Sequence, residues 1–107
     1  MKSDSILVIV KEKQKRTTIL VRLLDNINKN ITIIEKYITY DFHTTQYALH
    51  AILGISGVFG LEKLYYATLE LIKNNDGYFI RDKRYNYFIQ SASETKEYII
   101  KLIHFID

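Results

Sequence analysis

The chain contains no cysteine, no proline and no tryptophan, and only four glycines among 107 residues. Without cysteine there are no disulfides and no thiolate metal site, and the cytosol is the default compartment. Without proline no helix has to break or kink, and so few turn residues argue against a sheet-rich fold. No apolar stretch nears the ~18 residues needed to cross a bilayer. A lysine precedes the short apolar run Ile6–Val10, but no small-residue cleavage site follows it. A strong charge of one sign is missing too: the net charge is +3. The one basic cluster, Lys11–Arg16, is interrupted by Glu12 and reads as a solvated face. These absences lead us to expect a soluble cytoplasmic protein with neither nucleic-acid nor membrane partners.

What is present is apolar and periodic. Apolar residues make up 48% of the chain, enough for one core, so residues 1–107 read as a single domain. From Thr17 to Tyr40, Leu20, Leu24, Ile27, Ile31, Ile34 and Ile38 recur in steps of three and four, the stripe of a long bundle helix. The tract Asp25–Asn30 has poor helix propensity and is a candidate break within it. Asp41 suits the N-cap of a second helix over 42–59, and Gly60 suits its left-handed terminator. Leu61, Leu64, Tyr65, Thr68, Leu71 and Ile72 mark a third helix over 61–74, stopped by Asn75-Asp76-Gly77.

The remaining segments are less uniform. Residues 78–90 fit either a β-hairpin or the start of a last helix, and we favour helix across most of 80–106. Its stripe runs through Tyr85, Phe88, Ala92, Thr95, Ile99, Leu102 and Ile106. Ser91-Ala92-Ser93-Glu94 has the form of a capping box, so a fresh helix can begin there. The β-branched run Ile6–Val10 suits a strand or a short helix, and residues 1–16 are read as a short helix or irregular lead.

One stretch stands apart from this bundle pattern. On a wheel of about 100° per residue, Thr45, Ala48, Ile52, Ile55 and Phe59 share one face of the second helix, with Ala51 beside them. Gln46, His50, Gly54 and Gly57 share the other. Glycine inside a helix costs about 1 kcal/mol relative to alanine, so two of them beside one histidine ask for a reason. Either they allow close helix packing, or they leave bare backbone where another protein can approach the imidazole.

His50, Gly54, Gly60 and Leu64 together resemble the signature of histidine-containing phosphotransfer (HPt) domains, which include the phosphoacceptor domain of the chemotaxis kinase CheA. The family pattern is His-any-any-Lys-Gly, then a glycine six residues on and a leucine in the next helix. The similarity extends from Asp41 to Leu71. It departs at Leu53, where the family carries lysine.

The resemblance implies an all-α fold, an antiparallel four-helix bundle with an additional short N-terminal element. It also implies a phosphocarrier of a two-component phosphorelay rather than a true enzyme. His50 would be the phosphoacceptor, with Gln46, Leu53, Gly54 and Gly57 forming the binding surface around it. Partners would be a receiver domain, a histidine kinase, or both. Neutral imidazole suits the chemistry, because it offers a nucleophilic nitrogen at neutral pH and an N–P bond labile enough to pass on. The receiver would bring the metal, so no cofactor and no metal site are expected in this chain.

Leu53 offers a transferring phosphoryl group neither charge nor hydrogen bond. Another cation such as Lys63 would reach over in its place, or the partner would provide one. The alternative is a docking module that has lost transfer. His43 shares the face of His50 but lies about 10 Å along the axis, too far for both to bind one metal. His104 reads as a solvated or partly buried residue, and Tyr47 as a flank of the docking surface.

Overall fold

A computed structural model describes residues 13–106. The expected N-terminal element over residues 1–12 lies outside the described residues. Four helices follow in order: α1 Lys13–Tyr37, α2 Phe42–Val58, α3 Glu62–Lys73 and α4 Lys83–Ile106. There is no strand among the described residues, which settles residues 78–90 against a hairpin. α1 packs on α2 and α4, and α3 packs on the same two, so the helices close a ring around one core. No helix among the described residues is long and apolar enough to cross a membrane.

Most of the expected stripe positions are buried, with Tyr65 and Ile72 of α3 half-buried. Leu20, Ile27 and Ile34 of α1 are sealed from solvent, as are Ile38 just after it, Leu64 of α3 and Phe88 and Ile99 of α4. α1 differs from expectation in two details. It also buries Leu23, beside a half-buried Leu24, and its last turn relaxes after Tyr37 instead of Tyr40.

The polar tract Asp25–Asn30 does not break α1, because its side chains bond the helix they sit on. Asn26 Nδ2 donates to the Arg22 carbonyl at 3.1 Å and Asn30 Nδ2 to the Asn26 carbonyl at 2.9 Å. Both bonds run to the residue four positions back, and Ile27 anchors the tract in the core.

Asp41 opens α2. Its Oδ1 accepts from the Thr44 N–H at 3.1 Å and its Oδ2 from the Thr44 hydroxyl at 2.8 Å. Satisfying an otherwise orphaned N–H is what stabilises a helix start. The same bonds, the backbone one foremost, hold the Asp41 carboxyl below the ordinary carboxylate value. A depressed folded value means that the stabilisation is present above the unfolded pKa and lost as pH falls through the folded one. We expect Asp41→Ala to lower the melting temperature at neutral pH. The gap to wild type should close in acid melts once the folded-state value is passed.

α2 ends as the sequence predicts. Gly60 takes φ +66°, its N–H donates to the Gly57 carbonyl, and the Leu61 N–H donates to the Ser56 carbonyl at 2.9 Å. This paired arrangement needs a left-handed residue at position 60, and the apolar residue after it, Leu61, is fully buried. The chain therefore re-enters α3 after three residues, which ties α2 to α3 closely.

α4 begins at Lys83, and Asp82 caps it by accepting from the Arg84 and Tyr85 N–H groups. The segment before it is pinned: Phe79 stacks on Phe42 at 5.0 Å, and Arg81 donates to the Glu35 carbonyl. The apparent capping box at Ser91 starts nothing. α4 runs straight through it, with Ser91 and Thr95 buried and the Thr95 hydroxyl bonded back to the Ser91 carbonyl at 2.7 Å.

Candidate functional site

α2 is buried along Thr45, Ala48, Leu49, Ile52 and Ser56. Ile55 and Phe59, expected on the same face, are only half-buried, so the buried arc is turned slightly toward Leu49 and Ser56. Ser56 is tolerated inside because its hydroxyl donates to the Ile52 carbonyl at 2.8 Å. The opposite arc carries His50, at the midpoint of the helix and exposed. Gly54 and Gly57 are exposed beside it, while Gln46 and Leu53 are half-buried along one edge. The Gln46 Oε1 is buried and has no hydrogen-bond partner.

The two glycines turn out to differ. A Cβ built on Gly57 would meet the Tyr65 ring at 3.5 Å, an ordinary contact with α3. A Cβ on Gly54 would meet nothing within 4 Å. Helix packing within this chain therefore gives no reason for glycine at 54. The residue costs the helix stability and gains nothing inside the fold.

Gly54→Ala should raise stability by about 1 kcal/mol, because it removes backbone freedom from the unfolded chain without a clash. For a domain of this size that corresponds to an upward shift in melting temperature of about 4–8 °C. A thermal melt that moves down would show a hidden structural role for the glycine.

A second feature of this face is its lack of charge. From Phe42 to Leu61 there is no Asp, Glu, Lys or Arg, in a chain where such residues make up 25%. A buried helix would need no charge, but this one keeps an exposed arc. That arc includes Tyr47 at 80% exposure and Val58 at 69%, either side of His50 and Gly54. Tyr66 of α3, 61% exposed, lies past a groove formed by Gly57, Gly60 and Tyr65, where the exposed Glu62 at the start of α3 brings the first charge at the edge of the arc. The neighbouring groove toward α1 holds His43, Thr44, Tyr47 and Ile33. Uncharged, partly aromatic surface of this kind marks an interaction face more often than a solvated one.

Lys63, the replacement cation, is already engaged. Its Nζ lies 2.8 Å from Glu94 Oε2 across the α3–α4 groove, with both side chains exposed. The hydrogen bond to Glu94 raises the Lys63 pKa, and the same bond, with help from Gln90, lowers that of Glu94. His43 and His104 are exposed. Among the described residues no three His, Cys, Asp or Glu side chains stand close enough to hold a metal ion.

The site is therefore one exposed imidazole on a charge-free helix, with open backbone one turn beyond it. Such a group can act as a nucleophile toward an electrophile that a docking partner brings. It has no adjacent carboxylate or cation of its own among the contacts seen, so activation and charge neutralisation would come from outside. Comparison of the chain with protein-family models, curated proteins and solved structures finds no match.

Proposed function

We propose that this chain is a histidine phosphotransfer protein of a two-component phosphorelay, with His50 as the phosphoacceptor. The observation that carries the reading is Gly54. It is an exposed helix-interior glycine with no neighbour inside the fold, one turn from an exposed histidine on a helix without charge. Bare backbone there lets another protein's active site close over the imidazole. The resemblance of His50, Gly54, Gly60 and Leu64 to the HPt signature supplies the chemistry. In this reading the four helices run antiparallel, and the α2–α3 hairpin closed at Gly60 presents the site.

The transfer balances simply. A ring nitrogen of His50 attacks the phosphorus of an aspartyl phosphate, the N–P bond forms, and the P–O bond to the aspartate breaks. The carboxylate leaves with the electron pair. The reverse step passes the group on to another receiver. The receiver's metal and its own cations neutralise the phosphoryl oxygens in an in-line arrangement. This chain contributes the nucleophile, its position and the docking surface, in the cytoplasm, as a carrier and not as an enzyme that turns over free substrate.

Leu53 favours a second reading, a docking module without transfer. It is half-buried, it stands where the resembling family has lysine, and Lys63 is held by Glu94. Incubation with a phosphorylated receiver domain and magnesium separates the two. Acid-labile, alkali-stable phosphate on the chain supports transfer, whereas binding without label supports the docking module.

A further inference from the structure

The uncharged face of α2 is bordered on one side by a row of cations. Arg22, Lys29 and Lys36 recur every seven residues along α1, so they stand in one line about 10.5 Å apart. The drift off that line is only about 20° per step. All three are exposed. None forms an ion pair among the described residues, although Lys36 lies over the Tyr37 ring at 5.2 Å.

The row belongs to the α2 side of α1. Arg22 shares a groove with Ile55 and Phe59, and Ile33, between Lys29 and Lys36, lines the groove of His43 and Tyr47. The Glu35 carboxylate acts on Tyr85 of α4, and Asp25, exposed one turn from Arg22 and from Lys29, makes no ion pair with either.

We infer that Arg22, Lys29 and Lys36 form a rail that selects, for the α2 face, a protein partner whose apolar contact ridge is edged by carboxylates. The inference rests on the docking reading of α2 but not on phosphoryl transfer. The cations lie on one flank of an apolar strip, the layout of a polar rim beside an interface core. Rim charges of this kind govern the choice of partner and the rate of encounter. A nucleic acid fits less well. Its phosphates are far closer together than these cations, and the strip they would have to cross carries no charge.

The test uses two fluorescein-labelled helical peptides with the same leucine and tyrosine ridge, one flanked by glutamates and one by lysines, beside a DNA duplex. Fluorescence anisotropy is read on the whole chain, on His50→Gln and on the triple variant Arg22→Gln/Lys29→Gln/Lys36→Gln. The glutamate peptide should bind wild type and His50→Gln alike, more tightly than the lysine peptide by about tenfold or more. Added salt should weaken it, and the triple variant should erase the preference. Equal binding of the two peptides, no binding of the glutamate peptide, or tighter binding of the duplex would each overturn the inference. Because no phosphoryl group is present, failure of the transfer reading leaves this result standing, and the reverse holds too.

Discussion

His50→Gln should abolish acid-labile phosphorylation of the chain by a phosphorylated receiver while leaving its thermal unfolding unchanged. The two halves of this expectation have separate causes. Glutamine keeps a polar side chain of similar reach but has no lone-pair nitrogen able to attack phosphorus, since its amide nitrogen is conjugated with the carbonyl. The loss should therefore be complete rather than partial. Stability should hold because His50 is exposed, its side chain makes no hydrogen bond among the described residues, and surface substitutions of that kind usually stay within about 0.5 kcal/mol. His43→Gln and His104→Gln serve as controls that should label as wild type does. Label persisting on His50→Gln would place the chemistry on another residue. A large fall in melting temperature would mean that the histidine holds the fold together.

The contrast between Gly54 and Gly57 shows what could and could not be read from residues alone. The wheel places both on one face with His50, and both are exposed. It gives no information on what a neighbouring helix puts opposite them. That depends on Tyr65, whose ring covers Gly57 and leaves Gly54 open. The turn at Gly60 was legible because its geometry is local. A left-handed residue between two apolar stripes has few alternatives, and the Gly60 and Leu61 N–H groups find the Gly57 and Ser56 carbonyls as that geometry requires.

The two interruptions that the sequence allowed, and that do not occur, also have a common cause. Asn26 and Asn30 suggested a break in α1, and Ser91 to Glu94 suggested a helix start in α4. Side chains of these types bond nearby backbone in either a cap or a helix interior, and composition does not say which. The core stripe decided each case. Ile27 in α1, and Phe88, Ala92 and Thr95 in α4, are buried on one continuous face that an interruption would have disrupted. A register of buried residues running through a polar tract outweighs the local propensity of that tract, because packing contributes most of a helix's stability in a protein.

Leu53→Lys should separate a slow carrier from a docking module. Position 53 is one turn beyond His50, so a lysine there can bring its ammonium to the phosphoryl oxygens as charge shifts during transfer. Preorganised charge of that kind lowers the barrier, and a modest contribution of about 1.4 kcal/mol would speed phosphorylation tenfold. Lys63, a cation the sequence offers in its place, is held by Glu94 at 2.8 Å. If the chain is instead a docking module, the half-buried Leu53 edges the partner's contact surface, and a lysine weakens binding without creating any uptake. The measurement is partner affinity and phosphate uptake side by side for wild type, Leu53→Lys and His50→Gln. A carrier gives uptake that rises with the lysine and vanishes with the glutamine, at comparable affinities. A docking module gives no uptake in any of the three, with the tightest binding in the two that keep Leu53. Uptake by wild type already equal to that of Leu53→Lys would mean that the partner supplies all the charge the transfer needs.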